Sequence, residues 1–451
     1  MAATALLAGS LAPLNSTMIV VALPQVLADL DAPLAWGSWI VVSYLVAMAA
    51  MQPLGGSLGD RYGRRRLVAL GLGGFLLASL AAAVAPTVEA VIAARTAQAV
   101  AGAVALPNGS ALVRTLVPLE GQGRVLGLIG TGIGAAAAFG PPLGGLITDA
   151  FGWRWIFLAN VVVIVPALVL ALRLPREGAP AAGRRFDLLG GGLLLASLVT
   201  LALAATVWRV PEVPAAAPYA LAAFGLASGA WFWRHARRAD PPVLNLGLLS
   251  RRAYLAAGLT VMFSNMTMYT VFLAVPLFVA GVLGWPPGQV GLLLAAMSVP
   301  MMLLGPAAGW LADRYGPRLP ALGGCAIAAL GVALLTAIGA DWSRAHLLLP
   351  LVVVGVGMGL SSAPTHTAAL QAAGRHEAGQ AAGLYSTMRY LGSIVCSAGI
   401  AAVLGDGGSV PQFRLLFVLL VGAAVVASAT SSRLPAGLVA DRTAAVGRGR
   451  A

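Results

Sequence analysis

The amino-acid sequence predicts an all-α polytopic membrane protein of fourteen spans, arranged as two related six-helix halves around an extra central pair. Three observations carry that expectation. Of 451 residues, 59% are hydrophobic and 10% charged, with no lysine, a balance that leaves too little polar surface to cover a water-soluble domain. Apolar stretches of the ~20 residues needed to cross a bilayer recur along the chain, divided by short loops that carry Arg, Pro and Gly. A charged loop also occurs twice, GSLGDRYGRRR at Gly56–Arg66 and GWLADRYGPR at Gly309–Arg318, the mark of an internal repeat.

The first span, 3–27, starts without a basic leader segment and lacks a small-residue cleavage site, so it is expected to be a retained helix and not a signal peptide. Spans two to six follow at 36–58, 66–86, 89–117, 122–149 and 153–174, the first copy of the repeated loop closing span two. Spans seven and eight, 187–208 and 215–235, are the extra pair. They are bounded by PREGAPAAGRR (Pro175–Arg185) and RHARRADPP (Arg234–Pro242), polar segments suited to linkers. The remaining spans fall at 253–281, 288–312, 318–340, 344–370, 378–404 and 412–432. The expected division is therefore an N-terminal six-helix half over 1–174, linkers and the extra pair over 175–252, a C-terminal half over 253–432 and a tail over 433–451.

Loops alternate in charge. One class holds Arg61 with Arg64 to Arg66, Arg124, Arg184 with Arg185, Arg234 with Arg237 and Arg238, Arg251 with Arg252, Arg318 and Arg375, whereas the other holds Asp29, Asp31, Glu212, Asp341 and Asp406. The excess of arginine marks the cytoplasmic side, which puts both termini in the cytoplasm and requires an even number of spans. The net charge of +13 is thus spread over alternate loops and not gathered on one soluble face, as nucleic-acid binding would need. No metal-ligand spacing, Ser-His-Asp set or phosphate loop is present in a region that could be exposed, so neither an enzyme nor a cofactor or metal is expected. Cys325 and Cys396 lie in apolar stretches and read as packing residues.

At the level of motifs the chain resembles the fourteen-helix drug:proton antiporter branch of the major facilitator superfamily. The resemblance extends over nearly its whole length. GSLGDRYGRRR is similar to the superfamily's cytoplasmic gating motif, implying inter-helix charge contacts for Gly56, Asp60, Arg61, Gly63, Arg64 and Arg65, with Asp313 and Arg314 as their counterparts in the second half. RTAQAVAG (Arg95–Gly102) resembles the motif that places an arginine and a glutamine, here Arg95 and Gln98, beside the proton pathway, with Ala99 at a usual glycine. A charge at that depth must face a cavity or a partner; the alternative is a side chain that snorkels to the interface. GIGAAAAFGPPLGG (Gly132–Gly145) resembles the antiporter motif of span five, implying a state-dependent seam at Gly140, Pro141, Pro142, Gly144 and Gly145. WRWIFLAN, RFDLLG and PPVLNLGLL, starting at Trp153, Arg185 and Pro241, match the same branch.

Span one departs from the pattern. It reads LNSTMIVVALP (Leu14–Pro24), with Asn15 where the family has an acid, and an amide does not titrate. Every carboxylate in the chain falls at the end of an expected span or in a loop. Coupling then rests on Asp29 or Glu89 at span ends, on His366 in span twelve, or on no proton at all. Arg95 and Arg389 lack an intramembrane acid, so the cavity is expected to prefer neutral or anionic compounds. By analogy of fold, Asn15, Asn108, Met262, Asn265, Met266, Tyr269 and Arg389 are expected to line it, the methionines giving an adaptable apolar wall. The resemblance implies export of a small amphipathic compound by proton antiport from the inner (plasma) membrane, by a monomer whose partners are the substrate, protons and the bilayer. An uncoupled or exchange-type carrier of a nutrient or metabolite, and a non-transporting sensor on the same fold, remain open.

Overall fold

The computed structural model describes residues 2–116, 132, 136, 139–174, 187–207, 213–239, 242–373, 378–404 and 408–436. The first half consists of α1 (Ala2–Asp29), α2 (Leu34–Tyr62), α3 (Arg64–Ala83), α4 (Val88–Leu116), α5, whose continuous described part is 139–151, and α6 (Arg154–Arg173). Next come α7 (Leu188–Val207) and α8 (Ala217–Ala236). After a 3-10 turn at Leu246–Ser250, the second half runs through α9 (Arg252–Gly281), α10 (Pro287–Tyr315), α11 (Arg318–Leu335), α12 (Arg344–Ala372), α13 (Ala378–Leu404) and α14 (Val410–Ser431). The chain is nearly all helical because in a bilayer only intrahelical bonding satisfies a single segment's backbone.

Among the described residues, eleven helices are long and apolar enough to span a membrane. The expected spans missing from that set are five, seven and eight. Much of span five lies outside the described residues, and α7 offers a shorter apolar helix, Leu188–Ala204. The end of α8 gathers Trp231, Trp233, Arg234 and His235, residues suited to an interface. The linker 175–185 and the tail from 437 onward also lie outside the described residues.

Packing repeats between the halves. In the first, α4 lies against α1, α2 and α3, and α6 against α1 and α3; in the second, α12 lies against α9, α10 and α11, and α14 against α9 and α11. The extra helices α7 and α8 pack on each other, and α7 rests on α2 and α13. Large apolar side chains such as Leu77, Val162, Leu189, Leu226, Leu303 and Leu349 point outward, a face that water would penalise and lipid accepts. The repeated loop makes the same turn twice: Gly63 has φ 91° and Gly316 φ 82°, conformations that favour glycine.

Candidate functional site

The site begins around a proline inside α1. Pro13 lies inside the helix and has no N–H, and its carbonyl accepts hydrogen bonds from Ser16 Oγ and Thr17 Oγ1, each at 2.9 Å. Close to them in the same helix Asn15 is fully buried. Its Oδ1 accepts a hydrogen bond from Arg95 Nη1 of α4. Arg95 is equally buried and does not snorkel. Its Nη1 also donates to Gln98 Oε1 at 3.3 Å, one turn along α4, and its Nε to the Ile40 carbonyl at 3.5 Å. The guanidinium stacks over the Tyr44 ring at 4.2 Å, a cation–π contact that partly replaces lost hydration. Tyr44 in turn donates to the Ala12 carbonyl at 3.3 Å. Gln98 Nε2 donates to Ser79 Oγ at 2.8 Å, and Asn160 Nδ2 reaches the same hydroxyl at 3.4 Å. One polar chain therefore threads α1, α4, α3 and α6 through an apolar interior, and every partner of its cation is neutral.

Among the described residues, one hydrogen bond joins the second half to this chain. Tyr269 of α9 shares a hydrogen bond of 3.0 Å with Ser16 Oγ. Met262, Asn265, Met266 and Tyr269 recur at helical spacing on one face of α9. Tyr269 is buried and the other three half-buried. Arg389 of α13 is half-buried with its guanidinium 5.1 Å from the Tyr390 ring, and Tyr269 lies within electrostatic reach of both Arg95 and Arg389. The structure thus brings Asn15, Arg95, Gln98 and Tyr269 together. Asn108 stands elsewhere: fully buried, it donates to the Gly55 and Val104 carbonyls at 2.7 Å each, bonding α4 to α2.

The repeated loop lies at the opposite end of α2 from Asp31. Arg64 Nη1 donates to the Ala111 carbonyl at 3.2 Å, and Arg65 donates to the Ala171 carbonyl at 3.3 Å and to that of Leu172. The Ala171 and Leu172 carbonyls sit in the last turn of α6, where the helix dipole favours a cation, and Ala111 lies about a turn before the end of α4. Arg61 is exposed beside the Tyr62 ring, and Arg314 lies between the Trp310 and Tyr315 rings at 5.5 and 5.6 Å. Asp313 is exposed, the side chain of Asp60 lies outside the described residues, and Gly56 faces Pro107 with ordinary clearance.

On α5 the small residues divide between two neighbours. A Cβ on Gly140 would strike Thr17, and one on Gly144 would stand 2.5 Å from the Met18 carbonyl, so both admit α1. Gly291 of α10, in the other half, lies so near Gly145 and Pro141 that its Cβ would be 2.8 Å from the Gly145 Cα and 3.0 Å from the Pro141 carbonyl. Pro142 is half-buried. At this same end Asp29 accepts a hydrogen bond from Trp153 Nε1 at 2.9 Å and faces Arg154 at 3.8 Å. Glu89 is exposed in the first turn of α4, and His366 is exposed on α12 with its ring 5.1 Å from that of Tyr385. None of these three titratable groups joins the Arg95 chain.

Sequence reasoning missed Tyr44, Ser79 and Asn160. A buried arginine next to an amide demands further partners, which could have pointed to Tyr44 on the adjacent span, but nothing local marks Ser79.

Known proteins of similar sequence and of similar fold point to one family. The model of the Major Facilitator Superfamily matches residues 5–397. The chain is 32% identical over 413 residues to a protein of Mycobacterium tuberculosis named multidrug resistance protein B homolog, covering 89% of this chain and 75% of that one. It is 31% identical to the puromycin resistance protein pur8 of Streptomyces alboniger, covering 88% and 82% of the two chains. Among solved structures, the xylose transporter XylE from E. coli in a partially occluded inward open conformation superposes with TM-score 0.65 at 14% identity, over 94% of this chain and 95% of that one.

Proposed function

The chain belongs to the major facilitator superfamily and is a membrane transporter, and from that premise we propose that it exports small amphipathic compounds, drugs, antibiotics or secondary metabolites, by proton antiport. The observation that carries this reading is the polar chain around Arg95, buried deep in the helix bundle and met by the second half through the Ser16–Tyr269 contact. A substrate held there touches both halves, so its binding is felt by the motion that would open either end. The names of the resistance proteins that resemble the chain support export as the direction. In this reading both termini face the cytoplasm and α5 carries the seam that opens outward. Asp29, Glu89 and His366 are then the groups from which the coupling proton is sought.

Asn15 favours a second reading. An amide holds Arg95 where an acid would have titrated, so the carrier would work as an exchanger or uniporter without protons. Purified protein in liposomes containing a pH-sensitive dye separates the two. Proton flux that depends on added substrate supports antiport, and substrate movement with no proton flux removes antiport in favour of exchange.

A further inference from the structure

The transport reading leaves one property of the central chain unused, and the substrate class inferred from that property rests on the same reading. Arg95 Nη2 and Asn15 Nδ2 have no hydrogen-bond partner among the described residues, although both side chains are fully buried. The two groups are in direct contact through Asn15 Oδ1 and Arg95 Nη1, so the two unpartnered donors belong to neighbouring groups. Buried donors of this kind are strongly disfavoured unless something accepts from them, and the guanidinium adds a charge that never titrates. Its partners Asn15 Oδ1, Gln98 Oε1 and the Ile40 carbonyl are neutral, and Tyr44 offers a ring face. Among the described residues no carboxylate pairs with it: Asp29, Asp31, Glu89, Asp149, Asp187, Asp313 and Asp341 all stand at helix ends or in loops. The surroundings add hydroxyls on Ser16 and Tyr269 and a second guanidinium on Arg389. The site therefore has donors and positive charge in excess, and lacks an acceptor with negative charge.

We propose that the compounds bound here are amphipathic organic anions, whose carboxylate is taken by Arg95 Nη2 and Asn15 Nδ2 while the apolar body lies along Met262, Met266 and Tyr269 of α9. A planar carboxylate offers two oxygens that match adjacent N–H donors. Asn15 decides the polarity of the site. An acid at this position would neutralise Arg95 from within and repel an anion, whereas the amide contributes a donor to the incoming group and leaves the guanidinium to be neutralised by it. A lipophilic cation would find two guanidinium groups and no counter-charge.

Equilibrium binding to the full-length protein in lipid nanodiscs tests this with three probes that share one aromatic body: 1-naphthylacetate, its neutral amide 1-naphthylacetamide, and (1-naphthylmethyl)trimethylammonium. We expect the anion to bind at least tenfold more tightly than the amide and the cation to bind weakest. In Asn15→Asp, a nearly isosteric change whose folding is checked by thermal melting, the anion should lose that advantage. Arg95→Lys, which keeps the charge and removes the fork, should reduce it. Equal binding of anion and amide, or an undiminished preference in Asn15→Asp, overturns the proposal while leaving the transport reading intact. Failure of all three probes to saturate the protein overturns the central site as a substrate site, and the proposal with it.

Discussion

Gly63 and Arg65 show how single residues shape the ends of helices. With φ 91° at Gly63, Gly63→Ala forces a side chain into the left-handed region and should destabilise the protein by about 1–2 kcal/mol, read as a lowered melting temperature in detergent. Gly73→Ala is the control: its added methyl meets open space on α3, and removing a helix-interior glycine should be neutral or stabilising by about 0.5–1 kcal/mol. Arg65→Ala removes both bonds to the last carbonyls of α6 and should lower stability by about 1–2 kcal/mol, the magnitude of hydrogen bonds from a charged donor, whereas Arg61→Ala, at an exposed side chain, should change little. At this scale the sequence was legible wherever chemistry constrains the residue type. An arginine inside an apolar stretch must have partners, and Gln98, one turn along the same helix, could be named from motif spacing, whereas the bond to Asn15 of α1 is set by helix packing and could not. The use of Arg65 to bond backbone carbonyls could not be read, because a carbonyl acceptor leaves no trace in the sequence.

Whole elements divide the work of α5 and of the extra pair. Gly140 and Gly144 admit α1 within one half, whereas Gly145 and Pro141 meet Gly291 of the other. Gly140→Val should therefore weaken the fold and lower the melting temperature. Gly291→Leu should leave each half intact and drive the halves apart, seen as a longer distance between spin labels at Asp31 and Gly284, in the α1–α2 and α9–α10 connections. An unchanged distance would remove this seam from the gating motion. The extra pair is stapled at its base by Asp187, which caps α7 through the Gly190 N–H at 2.8 Å, pairs with His235 of α8 at 2.6 Å and accepts from the Val243 N–H at 3.3 Å. Asp187→Ala should lower stability by about 1–2 kcal/mol, the scale of a lost N-cap, and Asp187→Asn, which keeps the acceptor at the cap, by less. The glycines of α5 were visible in the sequence as a small-residue run. Which neighbour each one admits was not, since helical spacing gives a face and tertiary packing chooses what meets it.

Across the whole molecule, hydropathy and a repeated loop were enough to anticipate a nearly all-helical chain, because a bilayer leaves a single chain few ways to satisfy its backbone, but not which helices pack on which. The span count was less secure: α8 is amphipathic at its end, and composition alone does not separate a spanning helix from an interfacial one. The orientation drawn from the arginine loops predicts that a fluorescent protein fused to the C-terminus will fluoresce and an alkaline phosphatase fused there will be inactive; the reverse pattern would invert the bundle. The seam between α5 and α10 also bears on speed. Gly145, Gly291 and the Pro141 carbonyl bring backbone against backbone, surfaces that possess no rotamers. If the seam parts in the proposed transport cycle, no side chain at these three positions has to find its former rotamer when the faces meet again, so the rate of that step would be set by how quickly the helices swing.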